Sequence, residues 1–373
     1  MKVFLLADRP NRNGVEFWNL LGKQCDLTVA FERYPEENKL WEFSTVGNSF
    51  KSVFLQGISY GKKLNVPFGI GKLVNENAYD VFVLEDCITS AQKASIKELI
   101  FNRKKFLLAC EGGFPNPNES DIAKRAKASY IKNACLYLSC GSACDAYLGS
   151  YGADMNKIIR YDYAAFSEKD YTQATPMTEA REQGLKRRYR LKDNIFISTI
   201  HFSEKQGIDL LLEMWKFAGI QNASLLIISD AKAQKKLSKM VRSLALNDVV
   251  MLDYQPLELT RELIRISRAF IYPARHDVWG MPVVEALSCG VPVISSYSTG
   301  VVHDLVINNK TGFVRSINEP ISWGEGMREM LNRDILYNKM KKEIIHSMRT
   351  FTIESRVKSY IDAFRQCAIM QNK

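Results

Sequence analysis

Asp277 and Glu285 stand eight positions apart in the stretch IYPARHDVWGMPVVEALSCG, with Gly280, Met281 and Pro282 between them. Gly280 falls where a helix N-cap would sit, and Pro282 falls in the first turn, where a missing N–H costs nothing. The spacing therefore predicts a helix that starts near Gly280 or Met281. The unpaired N–H groups of such a start, at the positive end of the helix dipole, suit a phosphate. A carboxylate on either side suits hydroxyls, so the pattern points to a ligand carrying both, such as a nucleotide sugar.

The elements that must position these residues read as alternating strands and helices. The apolar run RAFIYPA leads into the loop, and VPVISS follows the helix as the next strand. Upstream come NIFIST, the helix QGIDLLLEMW, the strand ASLLIISD, a basic helix AKAQKKLSKMVRSLAL, the strand DVVMLDY and the helix PLELTRELIRIS. That alternation predicts a doubly wound parallel sheet, in which ligands bind outside the carboxyl ends of the strands. His201 and Lys205 sit in the loop after NIFIST, and Tyr254 follows DVVMLDY's apolar part.

The first half repeats the pattern. KVFLLA is a strand, after which Asn13 and Gly14 turn the chain into an amphipathic helix, the glycine allowing close approach to a ligand. DLTVAFE is a second strand, YDVFVLEDC a third ending in Glu85 and Asp86, and RKKFLLAC a fourth running into Glu111, Gly112 and Gly113. ACLYLS and KIIRYDY complete a second sheet, and GKKLNVPFGIGKL reads as a loop or short helix. Two α/β domains follow: residues 1–165, a polar connection at 166–193, residues 194–349, and a terminal helix at 350–373.

The bulk numbers fit this architecture. A chain of 373 residues is long enough for two cores, and 46% hydrophobic with 25% charged residues is ordinary for a globular protein. No apolar run reaches the length of a membrane span, and the N-terminus goes directly into a strand, so a cytoplasmic location is expected. The net charge of +10 is shared equally, +5 for residues 1–190 and +5 for the rest. Basic clusters at Arg103-Lys104-Lys105, Lys124-Arg125 and Lys186-Arg187-Arg188 suggest peripheral contact with an anionic membrane on its inner face. They lack the interleaved aromatics of a nucleic-acid module, so no nucleic-acid partner is expected. Eight cysteines at irregular positions read as core thiols.

The segment Asp277-x7-Glu285, with WGMPVVEALSCGVPVIS around it, resembles the Glu-x7-Glu signature of retaining GT-B glycosyltransferases of family 4, with Asp in place of the first Glu. The resemblance implies the GT-B fold, two Rossmann-like doubly wound domains facing an interdomain cleft, the donor on the C-terminal one. It implies that Glu285 binds the nucleotide ribose and that Asp277 lies near the donor sugar and diphosphate. The loop with Gly14 would face the cleft, Gly280 and Met281 would meet the diphosphate, and Tyr254 would lie near the base. The family's cation positions fall on His201 and Gln206, with Lys205 one residue early. EGGF, at Glu111 to Phe114, is similar to a subgroup associated with bacterial surface polysaccharides, where the acid replaces a histidine near the sugar. The terminal segment RTFTIESRVKSYIDAFRQ resembles the helix that crosses back onto the first domain.

The expected activity is therefore transfer of a sugar, with retention, from a nucleotide-diphosphate donor to a saccharide or lipid-linked saccharide acceptor in surface polysaccharide synthesis. Asp277, Glu111 and Lys205 are the expected catalytic residues. Front-face attack, in which the departing phosphate helps to take the acceptor's proton, is the expected mechanism. No Asp-x-Asp occurs in the chain, so neither metal nor other cofactor is expected. The alternative is a catalytically silent GT-B subunit that binds a partner transferase or glycan, which Gln206 and Glu111 keep open.

Overall fold

Runs such as Val3 to Ala7 and Ile195 to Ile197 are buried on both faces, as strands of a parallel sheet covered by helices must be. In the computed structural model, which describes residues 1–35, 43–60, 64–67, 70–76, 79–86, 89–172, 177–200 and 204–371, they form two separate sheets. The chain divides into two units, one of residues 1–163 with 353–373 and one of residues 164–352.

The first unit holds seven strands in the order Lys51–Phe54, Asp26–Phe31, Lys2–Ala7, Val81–Glu85, Phe106–Cys110, Leu136–Ser139, Ile158–Arg160, every neighbouring pair parallel. Sequence order reverses between Lys2–Ala7 and Val81–Glu85, the point where such sheets open a crevice. Helix starts carry local caps: Asn11 Oδ1 accepts from the Gly14 N–H at 2.8 Å, and Thr89 and Gln92 form a capping box. The stretch GKKLNVPFGIGKL, read as a loop or short helix, instead contributes the second strand, Leu64–Pro67, of an antiparallel hairpin with Gly57–Tyr60, and the start of a helix, Ile70–Glu76. Helix Ile353–Gln371 packs in this unit, where Arg356, Tyr360, Phe364 and Cys367 are buried.

The second unit holds six parallel strands in the order Val249–Leu252, Ala223–Ile228, Asn194–Thr199, Ala269–Tyr272, Val293–Ser296, Gly312–Arg315. Its reversal lies between Asn194–Thr199 and Ala269–Tyr272. Helices Ile208–Ala218 and Pro320–Asn332 cover its core with Leu211, Trp215, Trp323 and Met327. Truncating the fully buried Trp323 to alanine would cost about 3–5 kcal/mol.

The stretch 166–193, expected as a connection, belongs to this unit. Phe166 is buried, and Thr178 caps the helix Glu179–Tyr189. Its polar composition reflects a helix with one wet face and charges that find partners elsewhere in the unit, such as Arg181 to Glu262 at 2.6 Å.

Candidate functional site

The reversal in the second sheet brings together the loop after Thr199 and the loop after Tyr272. Backbone hydrogen bonds staple them: the N–H groups of Arg275 and His276 donate to the Lys205 carbonyl at 2.7 and 3.1 Å. Arg275 adds a bidentate pair to Asp209, both bonds 2.7 Å, and donates to the Glu204 carbonyl at 3.0 Å. Those hydrogen bonds hold the Asp209 carboxyl below its ordinary pKa. Gly207 makes the approach possible: its φ is +67, and a Cβ there would lie 2.0 Å from the Pro273 carbonyl oxygen. Arg275 carried no signal in the sequence beyond its place in the loop. His201 lies outside the described residues.

The loop from Pro273 to Gly280 is shaped by Asp277. One carboxylate oxygen accepts from the Tyr272 hydroxyl at 2.6 Å and the other from the Trp279 N–H at 3.1 Å. Burial, then the Asp277 charge, raises the Tyr272 hydroxyl far above its ordinary pKa, and the Gln206 side chain hydrogen-bonds to the same hydroxyl. Gln206, Tyr272 and Asp277 thus form one chain of polar contacts. The backbone of Asp277 is fixed as well, its N–H donating to Ser298 and its carbonyl accepting from Gly300, both at 2.9 Å.

Helix Met281–Ser288 begins where the spacing of Gly280 and Pro282 predicted. Gly280 has φ +98, and a Cβ there would lie 2.3 Å from Thr299 Cγ2, so both conformation and space call for glycine. Glu285 lies one turn into the helix, its side chain 19% exposed, with Arg261 Nε 3.8 Å from its Oε1. Tyr254 stands at the carboxyl end of the edge strand, beside Asp230, where burial followed by the charge of Asp230 pushes its hydroxyl up to about 12.

The first unit has its own cluster, built on the ends of strand Val81–Glu85 and its neighbour Phe106–Cys110. Glu111, just past strand Phe106–Cys110, accepts from Arg356 Nη2 at 2.9 Å and from the Tyr163 hydroxyl at 2.8 Å. Arg356 is 3% exposed, and its guanidinium lies 3.9 Å from the Phe17 ring centroid and 4.6 Å from that of Tyr163. Glu85 sits alongside: burial first, then the charge of Glu111, push its carboxyl up to about 8, and Arg356 opposes them.

Gly14 belongs to a different arrangement from the expected one. It lies in the first turn of helix Arg12–Gly22, its N–H taken by Asn11, and a Cβ there would be 2.8 Å from the Trp18 ring. The Trp18 ring thus occupies the space that a side chain at position 14 would need.

Residues 181–347 match the family model of glycosyl transferases group 1. Among curated proteins, the O-antigen chain mannosyltransferase B of Escherichia coli is 44% identical over 48 residues, 13% of each chain. The N-acetyl-alpha-D-glucosaminyl L-malate synthase of Bacillus anthracis is 21% identical over 217 residues, 56% of this chain and 55% of that one. The chain thus spans 13% and 55% of the lengths of these two curated relatives. Among solved structures, Anabaena Alr3699/HepE in complex with UDP and glucose superposes with a TM-score of 0.78 at 14% identity, covering 98% of this chain and 100% of that one. A structure described as trehalose-6-phosphate from E. coli bound with UDP-2-fluoro glucose also reaches 0.78, at 9% identity, covering 98% and 99%. At these identities the likeness is one of fold: the two Rossmann-like units are those of GT-B proteins.

Proposed function

We propose, from the premise that residues 181–347 form a glycosyl transferases group 1 domain in a chain of GT-B fold, that the protein is a retaining glycosyltransferase of family 4 using a nucleotide-diphosphate sugar. The observation that carries this reading is the helix start at Gly280 and Met281 with Glu285 one turn in, set beside the stapled loop that holds Lys205. The N–H groups at the helix start and the Lys205 cation neutralise the donor diphosphate, and Glu285 accepts from the ribose hydroxyls. As the bond to the anomeric carbon breaks, charge develops on the departing phosphate, where these groups act without a metal or other cofactor.

Asp277 takes a different part from the nucleophile of a double displacement. Its two oxygens already accept from Tyr272 and Trp279, so it fixes the loop that leads to Gly280. This supports front-face attack, in which the leaving phosphate takes the acceptor's proton. Glu111, oriented by Arg356 and Tyr163, receives the hydrogen bond of an acceptor or sugar hydroxyl. Gln206, a departure from the family pattern that favoured a silent subunit, is engaged in the contacts around Asp277, which favours the enzyme.

The acceptor is a saccharide or lipid-linked saccharide of a bacterial surface polysaccharide, and the basic clusters serve contact with anionic lipid from the cytoplasmic side. Among the described residues no helix is long and apolar enough to cross a membrane. Neighbours of the same fold are described with UDP and glucose or UDP-2-fluoro glucose, which makes UDP-glucose the first donor to try. Incubating the protein with UDP-, GDP-, dTDP- and ADP-sugars, with EDTA present, tests the reading. Release of one nucleotide, with sugar transferred in the α configuration from an α-linked donor, is expected. Binding of a donor with no release under any acceptor would favour the silent subunit.

A further inference from the structure

Arg261 lies on helix Leu257–Arg265 and is only 5% exposed. A guanidinium taken that far from water costs several kcal/mol unless it is paired and hydrogen-bonded. Most of its contacts are made by the Nη groups and the guanidinium face. Nη1 donates to Asp170 Oδ1 at 2.8 Å and sits 3.5 Å from Glu258 Oε1, Nη2 donates to the Ala165 carbonyl at 3.5 Å, and the guanidinium carbon lies 3.9 Å from the Phe166 ring centroid. Asp170 is itself fixed, accepting from the N–H and hydroxyl of Ser167 at 2.8 and 3.0 Å. The Nε–H is buried without a hydrogen-bond partner, and Nε lies 3.8 Å from Oε1 of Glu285.

We infer that Arg261 is a positioning residue for Glu285: gripped from behind by Asp170, Ala165 and Phe166, it holds the carboxylate that receives the donor's ribose hydroxyls. The inference rests on the reading of Glu285 as the ribose ligand. Glu285 sits on a helix whose start is pinned by Gly280, but its side chain has several rotatable bonds of its own. A fixed positive charge 3.8 Å from one carboxylate oxygen biases those bonds toward one arrangement. The side chain is 19% exposed, so a ligand can reach the carboxylate. Lysine cannot substitute, because a single ammonium cannot stack on Phe166 while reaching both Asp170 and Glu285. The stretch at 165–170 thereby acquires a role in the donor site through one arginine, although it lies far from the signature in sequence.

The test is a double-mutant cycle read by calorimetric titration with UDP and with 2′,3′-dideoxy-UDP, thermal melts serving to select folded variants. Arg261→Gln should weaken UDP by about tenfold and leave the dideoxy analogue nearly unchanged, and Arg261→Lys should recover little of the loss. In a Glu285→Ala background, Arg261→Gln should add almost nothing. Equal weakening of both nucleotides by Arg261→Gln, or its full loss added on top of Glu285→Ala, would overturn the inference. A Glu285→Ala protein that binds UDP as wild type does would overturn the ribose reading instead, and the inference with it.

Discussion

Arg356 Nη2 donates to Glu111 Oε1 at 2.9 Å across 245 positions of sequence, joining the terminal helix to the end of a central strand within the first unit. The guanidinium is buried among Phe17, Tyr161, Tyr163 and Tyr360, while Glu111 keeps 37% of its side-chain surface exposed. Both carboxylate oxygens are engaged, Oε2 by the Tyr163 hydroxyl at 2.8 Å, while the side chain still reaches solvent.

Removing Arg356 leaves the Glu111 carboxylate without its buried ion-pair partner. Arg356→Ala should lower stability by about 3 kcal/mol, toward the low end for a broken buried pair because Glu111 is partly solvated. Arg356→Lys should recover little, since an ammonium does not stack on Phe17 as a planar guanidinium does. Urea unfolding would measure this, and a loss below about 0.5 kcal/mol, the range of ordinary surface substitutions, would contradict it.

Glu85 makes stability pH-dependent in a stated direction. Its carboxyl is raised from 4.5 to about 8 in the fold, so between those values the folded state binds the proton that the unfolded state has released. Its contribution is fully present below about 4.5 and is lost as pH rises to about 8. Glu85→Gln, which cannot ionise, should flatten the decline of the urea midpoint between pH 5 and pH 8, on the order of the window set by the reference and folded values. A variant whose midpoint falls as steeply as wild type would show that the decline has another source.

The hydroxyl of Tyr272 is the main side-chain support of Asp277. Tyr272→Phe removes a hydrogen bond to a charged acceptor and should cost about 1.5–3 kcal/mol of stability, with a raised KM for the donor. Unchanged stability together with unchanged donor affinity would mean that Asp277 holds the loop without it.

Lys205 offers a test of diphosphate neutralisation that spares the scaffold. Its carbonyl receives the Arg275 and His276 N–H groups, and Lys205→Ala leaves that staple in place. Turnover should fall by about a hundredfold with little change in melting temperature, as when one preorganised charge or donor is removed from a leaving group. A drop below about threefold would take Lys205 out of the charge-stabilising set.

What was legible in the sequence was what local chemistry dictates. Gly280 and Pro282 mark a helix start within four residues of one another, and buried strands such as AFIY announce themselves by composition. Arg261, Arg275, Arg356 and Tyr272 gave no such sign, because their partners come from distant segments and an ion pair leaves no periodic trace. The stretch 166–193 read as a connection because its polarity is conspicuous, whereas Phe166 and Asp170 find their meaning only against Arg261. Gly14 looked like a loop glycine, yet the helix starts at Arg12 and the indole of Trp18 fills the space beside it.

The central claim is that helix Met281–Ser288 and its preceding loop bind a nucleotide-diphosphate sugar through Glu285. Titration of UDP-, GDP-, dTDP- and ADP-sugars into wild type and Glu285→Ala tests it most directly. One donor binding to wild type, and weakened at least about tenfold in the variant, is the predicted result. No donor binding to wild type, or equal affinity in both proteins, would contradict it.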